Sequence, residues 1–433
     1  AARQETLRVG FVVPTRTGVS LVPEASLYDV VGQAAVMGAQ LAAEASNSRS
    51  AADAVDLELL LASAPSAEAA ERAAERLLAV NGVAALVGGL GDGQADMLSG
   101  IAEGAGVPFL NIGSPASALR SACLRSTFNV EAGAGMYLGA AASWFTGHGY
   151  ARWYVVYEET GEGTELRDAA LAALGAVPGA VLAGSTGVIT GQPDYGPVFE
   201  AVRRSGADLI LVLVNAPDQI AFLAQEESVG PHVAALPYPY PVTQTRDFLG
   251  AMRVRADAQG LGYRVALWDA TLGGGDGAGD GGRDGAGDGG PAGRSGSEAA
   301  ADALNDRFVA RWGQPMDPAA WAAYAAVTIL HDAAVAAGST LPEAIAAYLG
   351  SPEARFEVGK ATPLSFDPSS HQLRQPLYVV ELDPDAQLTG RLNDQRGLAK
   401  LVDVVEVAAQ VAAEAEALET GPGMAPQGAS RCR

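Results

Sequence analysis

Residues that carry redox, metal or nucleophilic chemistry are scarce in this sequence. Its 433 residues include two cysteines and four histidines, too few and too scattered for a zinc site or a CxxC redox pair. It also lacks the GxSxG nucleophile elbow, the GxxxxGK[ST] phosphate loop and the HExxH metalloprotease motif. No catalytic constellation is recognisable, so we expect no enzyme, no metal site and no cofactor.

Positive charge is scarce as well. The chain has 28 basic residues, only two of them lysine, against 50 acidic residues, and its net charge is -22. Because a surface this acidic repels phosphate groups, neither nucleic acid nor an anionic membrane is an expected partner. No uninterrupted apolar run reaches the roughly 18 residues that cross a bilayer, so we expect no membrane insertion. The first residues are polar and lack a Met, which is typical of a processed protein or of a trimmed sequence.

Strand and helix patterns alternate along most of the chain. The near-continuous apolar run at 7–13 predicts a buried parallel strand, and a helix at 30–45 and a strand at 55–62 follow it. The alternation restarts with a strand at 153–157 and continues to a helix at 218–226. Two consecutive series of this kind predict an α/β protein with two doubly wound lobes.

Residues 273–297 interrupt this pattern with a Gly/Asp-rich stretch. It contains no residue that could build a core, so we predict a disordered insertion. Aspartates at every fourth position from Asp276 to Asp288 leave calcium binding open, because carboxylates on glycine-rich loops suit that cation. Calcium β-roll repeats also need an apolar residue in each repeat, and none is present.

The remaining patterns predict three helices, a hairpin and a terminal helix. The helices cover 299–312, 318–337 and 341–348, the hairpin pairs 362–367 with 375–382, and an acidic, alanine-rich helix covers 398–418. The tail from Gly421 is predicted to be extended, because Gly, Pro and Ser dominate it.

Two glycine-containing loops are the candidate ligand-binding elements. The stretch from Gly88 to Gly93 follows a predicted strand, and a loop with Gly113 and Ser114 follows the next one. The first stretch lacks the third glycine of a dinucleotide fingerprint. Loops at the carboxyl ends of strands bind ligands in open α/β sheets, and N–H groups at a helix start favour a carboxylate. Two tight turns without a ligand are the alternative interpretation.

Five motifs in order resemble those of one family. They are LRVGFVVPTRTG, VNGVAALVGGLGDGQADMLSGIAEGAGVPFLNIGSPA, YVVYEETGEGTELRDA, WAAYAAVTIL and TPLSFDPSSHQLRQPLYVVEL. Over roughly residues 6–385 the chain resembles the type I periplasmic solute-binding proteins of the leucine/isoleucine/valine-binding branch. A narrower resemblance, through GQPMDPAAWAAYAAV and the two cysteines, is to the solute-binding protein found with pyrroloquinoline-quinone alcohol dehydrogenase systems.

The resemblance implies a fold and a division of the chain. In that family two α/β lobes, joined by a three-crossover hinge, close over one ligand without reacting with it. The implied division is lobe 1 at 6–131 with 264–340, lobe 2 at 132–263 with 341–405, the insertion at 273–297, and a helix end with tail at 406–433.

The resemblance also implies ligand-binding residues in both lobes. Amino acid binders of this branch hold the ligand ammonium with an acid just after the crossover into lobe 2, where Glu131 stands; a solvated hinge residue is the alternative. The lobe 2 loop has Thr160 where the family usually has a tyrosine, which counts against an amino acid ligand. The implied set is Gly89, Leu90, Gly91, Asp92, Gly113, Ser114, Glu131, Glu159, Thr160, Asp218 and Trp268.

Two of these assignments, and one further segment, have structural alternatives. Asp218 starts a predicted helix and could simply favour its dipole, and Trp268 could be a core residue. The neighbouring run at 237–241, Pro-Tyr-Pro-Tyr-Pro, lines the cleft or forms a rigid surface loop.

The function implied by the resemblance is capture of a small carboxylate-bearing ligand for an ABC importer. The expected partners are that ligand and the importer's permease, and the expected state is a monomer outside the cytoplasm whose signal peptide has been removed. A sensor with the same two lobes is the alternative. Export would favour a disulfide between Cys123 and Cys432, whereas in the cytosol both would stay thiols.

Overall fold

The structure, a computed structural model, describes residues 4–15, 27–122, 124–245, 248, 263–266, 296–360, 363–382 and 399–405. The predictions for Trp268, for both cysteines, for the tail and for most of the Gly/Asp-rich insertion fall outside these residues. The last two positions predicted for that insertion belong to a helix that begins at Gly296.

Lobe 1 is built on a five-stranded parallel sheet. Its strands are β1 Glu5–Val13, β2 Val55–Ser63, β3 Ala85–Gly88, β4 Phe109–Asn111 and β5 Thr127–Asn129, in the order β2-β1-β3-β4-β5. The central strand β1 is buried from Val9 to Val13, as its apolar run predicts. Because the order reverses on either side of β1, the carboxyl ends of the strands flank a crevice.

Helices cover both faces of this sheet. They are α1 Leu27–Asn47, α2 Ser50–Asp53, α3 Ala67–Ala79, α4 Gln94–Ala105 and α5 Ala118–Ser121. Helix α3 begins after Ser66, whose hydroxyl accepts a hydrogen bond from the Ala69 N–H at 3.2 Å. Such an N-cap replaces one of the hydrogen bonds that the first helical turn lacks.

Lobe 2 repeats this architecture with four parallel strands. They are β6 Arg152–Glu158, β7 Val181–Val188, β8 Leu209–Leu213 and β9 Ala234–Pro237, in the order β7-β6-β8-β9. The helices are α6 Ala134–Gly147, α7 Gly161–Ala176, α8 Gly196–Ser205 and α9 Ala216–Val229, and a short 3-10 helix covers Pro241–Gln244. The two sheets with their helices confirm the predicted α/β class and two-lobe architecture.

The rest of the described chain returns to lobe 1 and then to lobe 2. Helices α10 Gly296–Trp312, α11 Pro318–Ala337 and α12 Pro342–Leu349 come first, and α11 packs along α1. Helix α11 is long and apolar enough to span a membrane, yet almost all of it is buried in the lobe, as in a core helix. A third sheet pairs β10 Tyr263–Ala266, β13 Leu377–Leu382 and β14 Ala399–Val405 in antiparallel fashion.

Two predictions for the end of the chain are corrected by this sheet. The helix predicted at 398–418 is wrong over Ala399–Val405, which is a strand because its valines favour a pleated surface; the alanines that indicated a helix come later. The predicted hairpin is wrong in its second strand, because β11 Ser365–Phe366 pairs with β12 Leu373–Arg374 and not with residues 375–382. Pro376 has no N–H to donate, so the ladder stops there and β13 joins another sheet.

The contacts of residues 342–375 bear on the lobe boundary predicted at residue 340. Helix α12 packs on α11, and the Trp321 Nε1–H of α11 donates to the Val358 carbonyl at 2.7 Å. The Phe366 ring packs edge-on against Phe128 of β5, with 5.2 Å between centroids. Because these partners belong to lobe 1, we propose that lobe 1 extends to about residue 375.

Candidate functional site

A cleft of about 930 Å³ lies between the two lobes. Its walls are loops that follow β3 and β4 in lobe 1 and β6, β7 and β8 in lobe 2, together with the start of α1 and the segment after β9. All these strands end at the same edge of their sheets, which is where parallel α/β sheets expose backbone groups and helix starts.

The lobe 1 wall is shaped by the two predicted glycine loops. Gly89 has φ +94, a conformation that side chains disfavour, and it lies beside Asn111. At Gly113 a Cβ would stand 2.5 Å from the Gly89 carbonyl oxygen, so only glycine lets the two loops come this close. Both loops line the cleft through Gly89, Leu90, Gly91, Asp92, Gly113 and Ser114.

Three backbone donors of these loops are used inside lobe 1. The N–H groups of Gly113 and Ser114 donate to Asn111 Oδ1 at 3.2 and 2.9 Å. The Gly91 N–H donates to Gln94 Oε1 at 3.2 Å, and Gln94 is itself held by the Ala64 carbonyl at 2.6 Å. These three N–H groups therefore fix the loops. The donors that the sequence suggests for a ligand are those of Gly89, Gly91 and Ser114, and of these the N–H groups of Gly91 and Ser114 are used internally.

An acid and a tyrosine complete the lobe 1 wall. The Tyr28 hydroxyl at the start of α1 donates to Asp92 Oδ1, and both residues line the cleft. Burial and this bond to a carboxylate raise the pKa of Tyr28 above its ordinary value, so the phenol keeps its proton. Asp96, one turn further along α4, lines the same wall.

The lobe 2 wall is organised by a hydrogen-bonded set at the ends of β6 and β8. Asn215 caps α9 and its amide donates to both Glu158 Oε1 and Asp218 Oδ2. Asp218 also accepts the Gly191 N–H at 2.7 Å. Limited hydration raises the pKa of Glu158, and Asp218 adds to the rise although Asn215 opposes it. Glu158 and Asp218 thus stand side by side in the wall.

Two predicted residues of lobe 2 do not line the cleft. Thr160 caps α7, and its hydroxyl accepts the Gly163 N–H at 3.0 Å. Glu159 is exposed, and its side chain lies against Gly187. Glu158, which precedes these two residues in the chain, and Glu162, which follows them, line the cleft instead.

Glu131 lies behind the cleft, in the hinge, and does not line it. Its carboxylate accepts a hydrogen bond from the Tyr137 hydroxyl at 2.9 Å, and its side chain is buried. Burial raises the pKa of Glu131 to about 8, against the opposing effects of Tyr137, Arg120 and Lys360. The alternative interpretation, a solvated hinge residue, is wrong because Glu131 is buried, and its contact with a ligand stays a prediction.

A buried arginine connects this hinge to the ligand loop. Arg120 Nη1 donates to the carbonyls of Ser114 and Ala116 at 3.2 and 2.8 Å, and Nη2 donates to the Glu131 carbonyl at 2.6 Å. Its Nε donates to Gln372 Oε1 at 2.5 Å. One side chain thus joins the loop after β4, the first crossover and the returning chain.

Aromatic residues close the cleft at the end of β9. Of the Pro-Tyr-Pro-Tyr-Pro run, Tyr240 and Pro241 line the cleft, while Tyr238 is buried behind them. The Tyr240 ring packs edge-on against Tyr238, with 4.8 Å between centroids. Sequence reasoning missed Tyr28 and Glu162 as cleft residues; the start of a helix after a predicted strand was the only signal for Glu162.

Comparison with known proteins agrees with this architecture. A family model described as periplasmic binding protein matches residues 18–387, while no curated protein matches the chain. Among solved structures, a branched-chain amino acid ABC transporter periplasmic ligand-binding protein from Burkholderia xenovorans LB400 is 16% identical, with a TM-score of 0.75 over 93% of this chain and 96% of that one.

Two further structures share the fold. An ABC transporter substrate-binding protein from Sphaerobacter thermophilus is 19% identical, with a TM-score of 0.71 over 93% of this chain and 98% of that one. A solute-binding protein from R. palustris, in complex with 4-hydroxybenzoate, is 18% identical, with a TM-score of 0.68 over 93% and 97% of the two chains.

Proposed function

Because the chain belongs to the periplasmic binding protein family, whose members are solute-binding proteins and not enzymes, we propose that it captures a small solute outside the cytoplasm for an ABC importer. The observation that carries this proposal is the cleft, in which loops from both lobes face one another around about 930 Å³. A space of this size suits a small organic molecule. Hinge closure would bury the solute, and the closed form would deliver it to the permease.

A solute screen by thermal shift tests this proposal. A solute present at 100 times its dissociation constant adds about 2.7 kcal/mol to the stability of the protein that binds it. We expect at least one such solute, and a smaller radius of gyration by X-ray scattering when it is bound. Stabilisation without compaction would contradict capture by hinge closure.

A matched pair of glycine variants places the bound solute. In Gly113→Ala the new methyl group would collide with the Gly89 carbonyl and separate the two lobe 1 loops, so affinity should fall. In Gly100→Ala the methyl group meets nothing within 4 Å, so affinity should be unchanged. Equal affinities of the two variants would place the solute elsewhere.

The effect of the chain on an ABC importer distinguishes import from sensing. We expect the solute-loaded chain to stimulate the ATPase activity of its importer in proteoliposomes, and to be monomeric in size-exclusion chromatography. The narrower resemblance to proteins of pyrroloquinoline-quinone alcohol dehydrogenase systems remains a hypothesis that bears on which importer is used. A chain that binds solute but leaves the ATPase rate unchanged would favour the sensor.

The charge of the solute is the finer part of the proposal. The sequence suggests a carboxylate, and R. palustris solute-binding proteins of the same fold hold 4-hydroxybenzoate and benzoate. Against a carboxylate stand Asp92 in the lobe 1 wall and the N–H groups of Gly91, Gly113 and Ser114, which donate within the lobe. The screen should therefore include anions and cations of matched size.

A further inference from the structure

We propose that the cleft selects an organic cation, whose ammonium or guanidinium group lies between carboxylates of the two lobes. This inference rests on the proposed solute-binding function and names the chemical class of the solute. It replaces the carboxylate-bearing ligand suggested by the sequence.

The first observation is the charge of the cleft walls. Among the described residues that line the cleft, six are acidic and none is Lys, Arg or His. The acidic residues are Asp92, Asp96, Glu158, Glu162, Glu165 and Asp218. Walls of one sign that surround a low-dielectric space concentrate counter-ions, so a cation is drawn into this cleft and an anion is repelled.

The second observation is that the acids of the two lobes face each other. The pKa of Glu162 in lobe 2 is raised, first by its limited hydration and then by the charges of Asp92, Glu158, Glu165 and Asp96. Two of these, Asp92 and Asp96, belong to lobe 1. Like charges on opposite walls oppose closure, and a cation between them would remove that repulsion.

The third observation concerns what could hold an anion. The lobe 1 loops use the N–H groups of Gly91, Gly113 and Ser114 internally. The Ser114 hydroxyl accepts the Ala116 N–H at 3.4 Å and can donate its own proton to a ligand. Six carboxylates and no Lys, Arg or His line the described cleft, so no positively charged side chain there balances the charge of a buried anion.

The fourth observation is the apolar part of the lining. The rings of Tyr28 and Tyr240 and the side chains of Leu27, Leu90 and Val242 line the same cleft. Aromatic faces attract cations, and apolar side chains favour a solute with a hydrocarbon body. No three acidic, His or Cys side chains within the described part of the chain are grouped to hold a metal ion, so the geometry favours an organic cation.

The variant Glu162→Gln tests the charge of the cleft without knowledge of the solute. If this carboxylate faces only other acids, its neutralisation should raise the melting temperature of the free protein by about 2–4 °C. The control Glu58→Gln removes an exposed carboxylate that is paired with Arg8 outside the cleft, and should change the melting temperature by less. Glu162 also lies in the first turn of α7, where the helix start favours a carboxylate. A lower melting temperature for Glu162→Gln would show that such favourable interactions outweigh the repulsion from the other acids, and would overturn the inference.

A matched solute series tests the class directly on the full chain. Putrescine, 1,4-butanediol and succinate share a four-carbon chain and differ in charge, and agmatine replaces one ammonium group with a guanidinium. We expect thermal stabilisation by the amines, none by succinate, and about a tenfold loss of affinity for the amines in Glu162→Gln. Stabilisation by succinate or benzoate, or by calcium alone, would overturn the organic cation while leaving solute binding intact. Failure of every solute in both this series and the wider screen would reject solute binding as well.

Discussion

The hydrogen bonds of Arg120 make a sharp prediction for stability. In Arg120→Met the side chain keeps its apolar length but loses the guanidinium that joins Ser114, Glu131 and Gln372. The side chain is 4% exposed, so water cannot replace those donors without opening the hinge. We expect a large loss in the free energy of unfolding.

The size of that loss depends on which acceptors keep another donor. The Ser114 carbonyl still accepts from Asn111 at 2.7 Å, and the Glu131 carbonyl still accepts from Gln372 at 3.0 Å. The Ala116 carbonyl and Gln372 Oε1 lose the donor that holds them. Two acceptors at about 1–3 kcal/mol each predict a loss of about 2–6 kcal/mol.

Urea unfolding followed by circular dichroism measures this loss, and Arg8→Met provides the control. Arg8 pairs with Glu58 at 2.8 Å, but both side chains are about half exposed, so its replacement should cost under about 1 kcal/mol. Arg120→Lys, which keeps a charge and restores part of the bonding, should lie between them. Equal losses in Arg120→Met and Arg8→Met would refute the reasoning.

Three further predictions concern other parts of the chain. Burial raises the pKa of Glu131 from 4.5 to about 8, so between these pH values the folded state binds more protons than the unfolded state. The free energy of unfolding should therefore fall from pH 5 to pH 8 relative to that of Glu131→Gln. Parallel pH profiles of the two proteins would contradict this prediction. Deletion of residues 274–296 should leave the melting temperature and the solute affinity almost unchanged, because the entropy of loop closure depends only weakly on loop length. A large loss of either would disprove the linker interpretation. Because export favours a bond between Cys123 and Cys432, thiol titration of the denatured, unreduced protein should find no free thiol, and two reactive thiols would contradict the disulfide.

Most of the fold could be predicted because its signals are local. Buried parallel strands are apolar runs, and helices such as α11 and α12 occur at or within one residue of the predicted positions, because periodicity and caps act over a few residues. The strand Ala399–Val405 was missed because its pairing partner, Leu377–Leu382, is distant in sequence and alanine-rich sequence follows it. Tertiary pairing, not local preference, decides such a segment.

The sequence predicted loops that line the cleft, whereas the assignment of ligand-binding residues stays a prediction. Both glycine loops line the cleft, as their position after strands suggested. Three N–H groups of those loops donate to the side chains of Asn111 and Gln94, and no pattern in the sequence distinguishes an N–H that faces a ligand from one that faces an amide. Glu131 was expected beside the ligand, yet the crossover turns it towards Tyr137 in the hinge.

The positions of the acidic side chains in the fold could not be predicted from the sequence either. A net charge of -22 predicts an acidic surface but not where the acids meet. Asp92 and Glu162 are 70 positions apart in the chain and meet only because two sheets present the same edge to one cleft. Their mutual repulsion destabilises the closed cleft unless a positive group lies between them. The strand order that creates the crevice thus also places the charges that would select its solute.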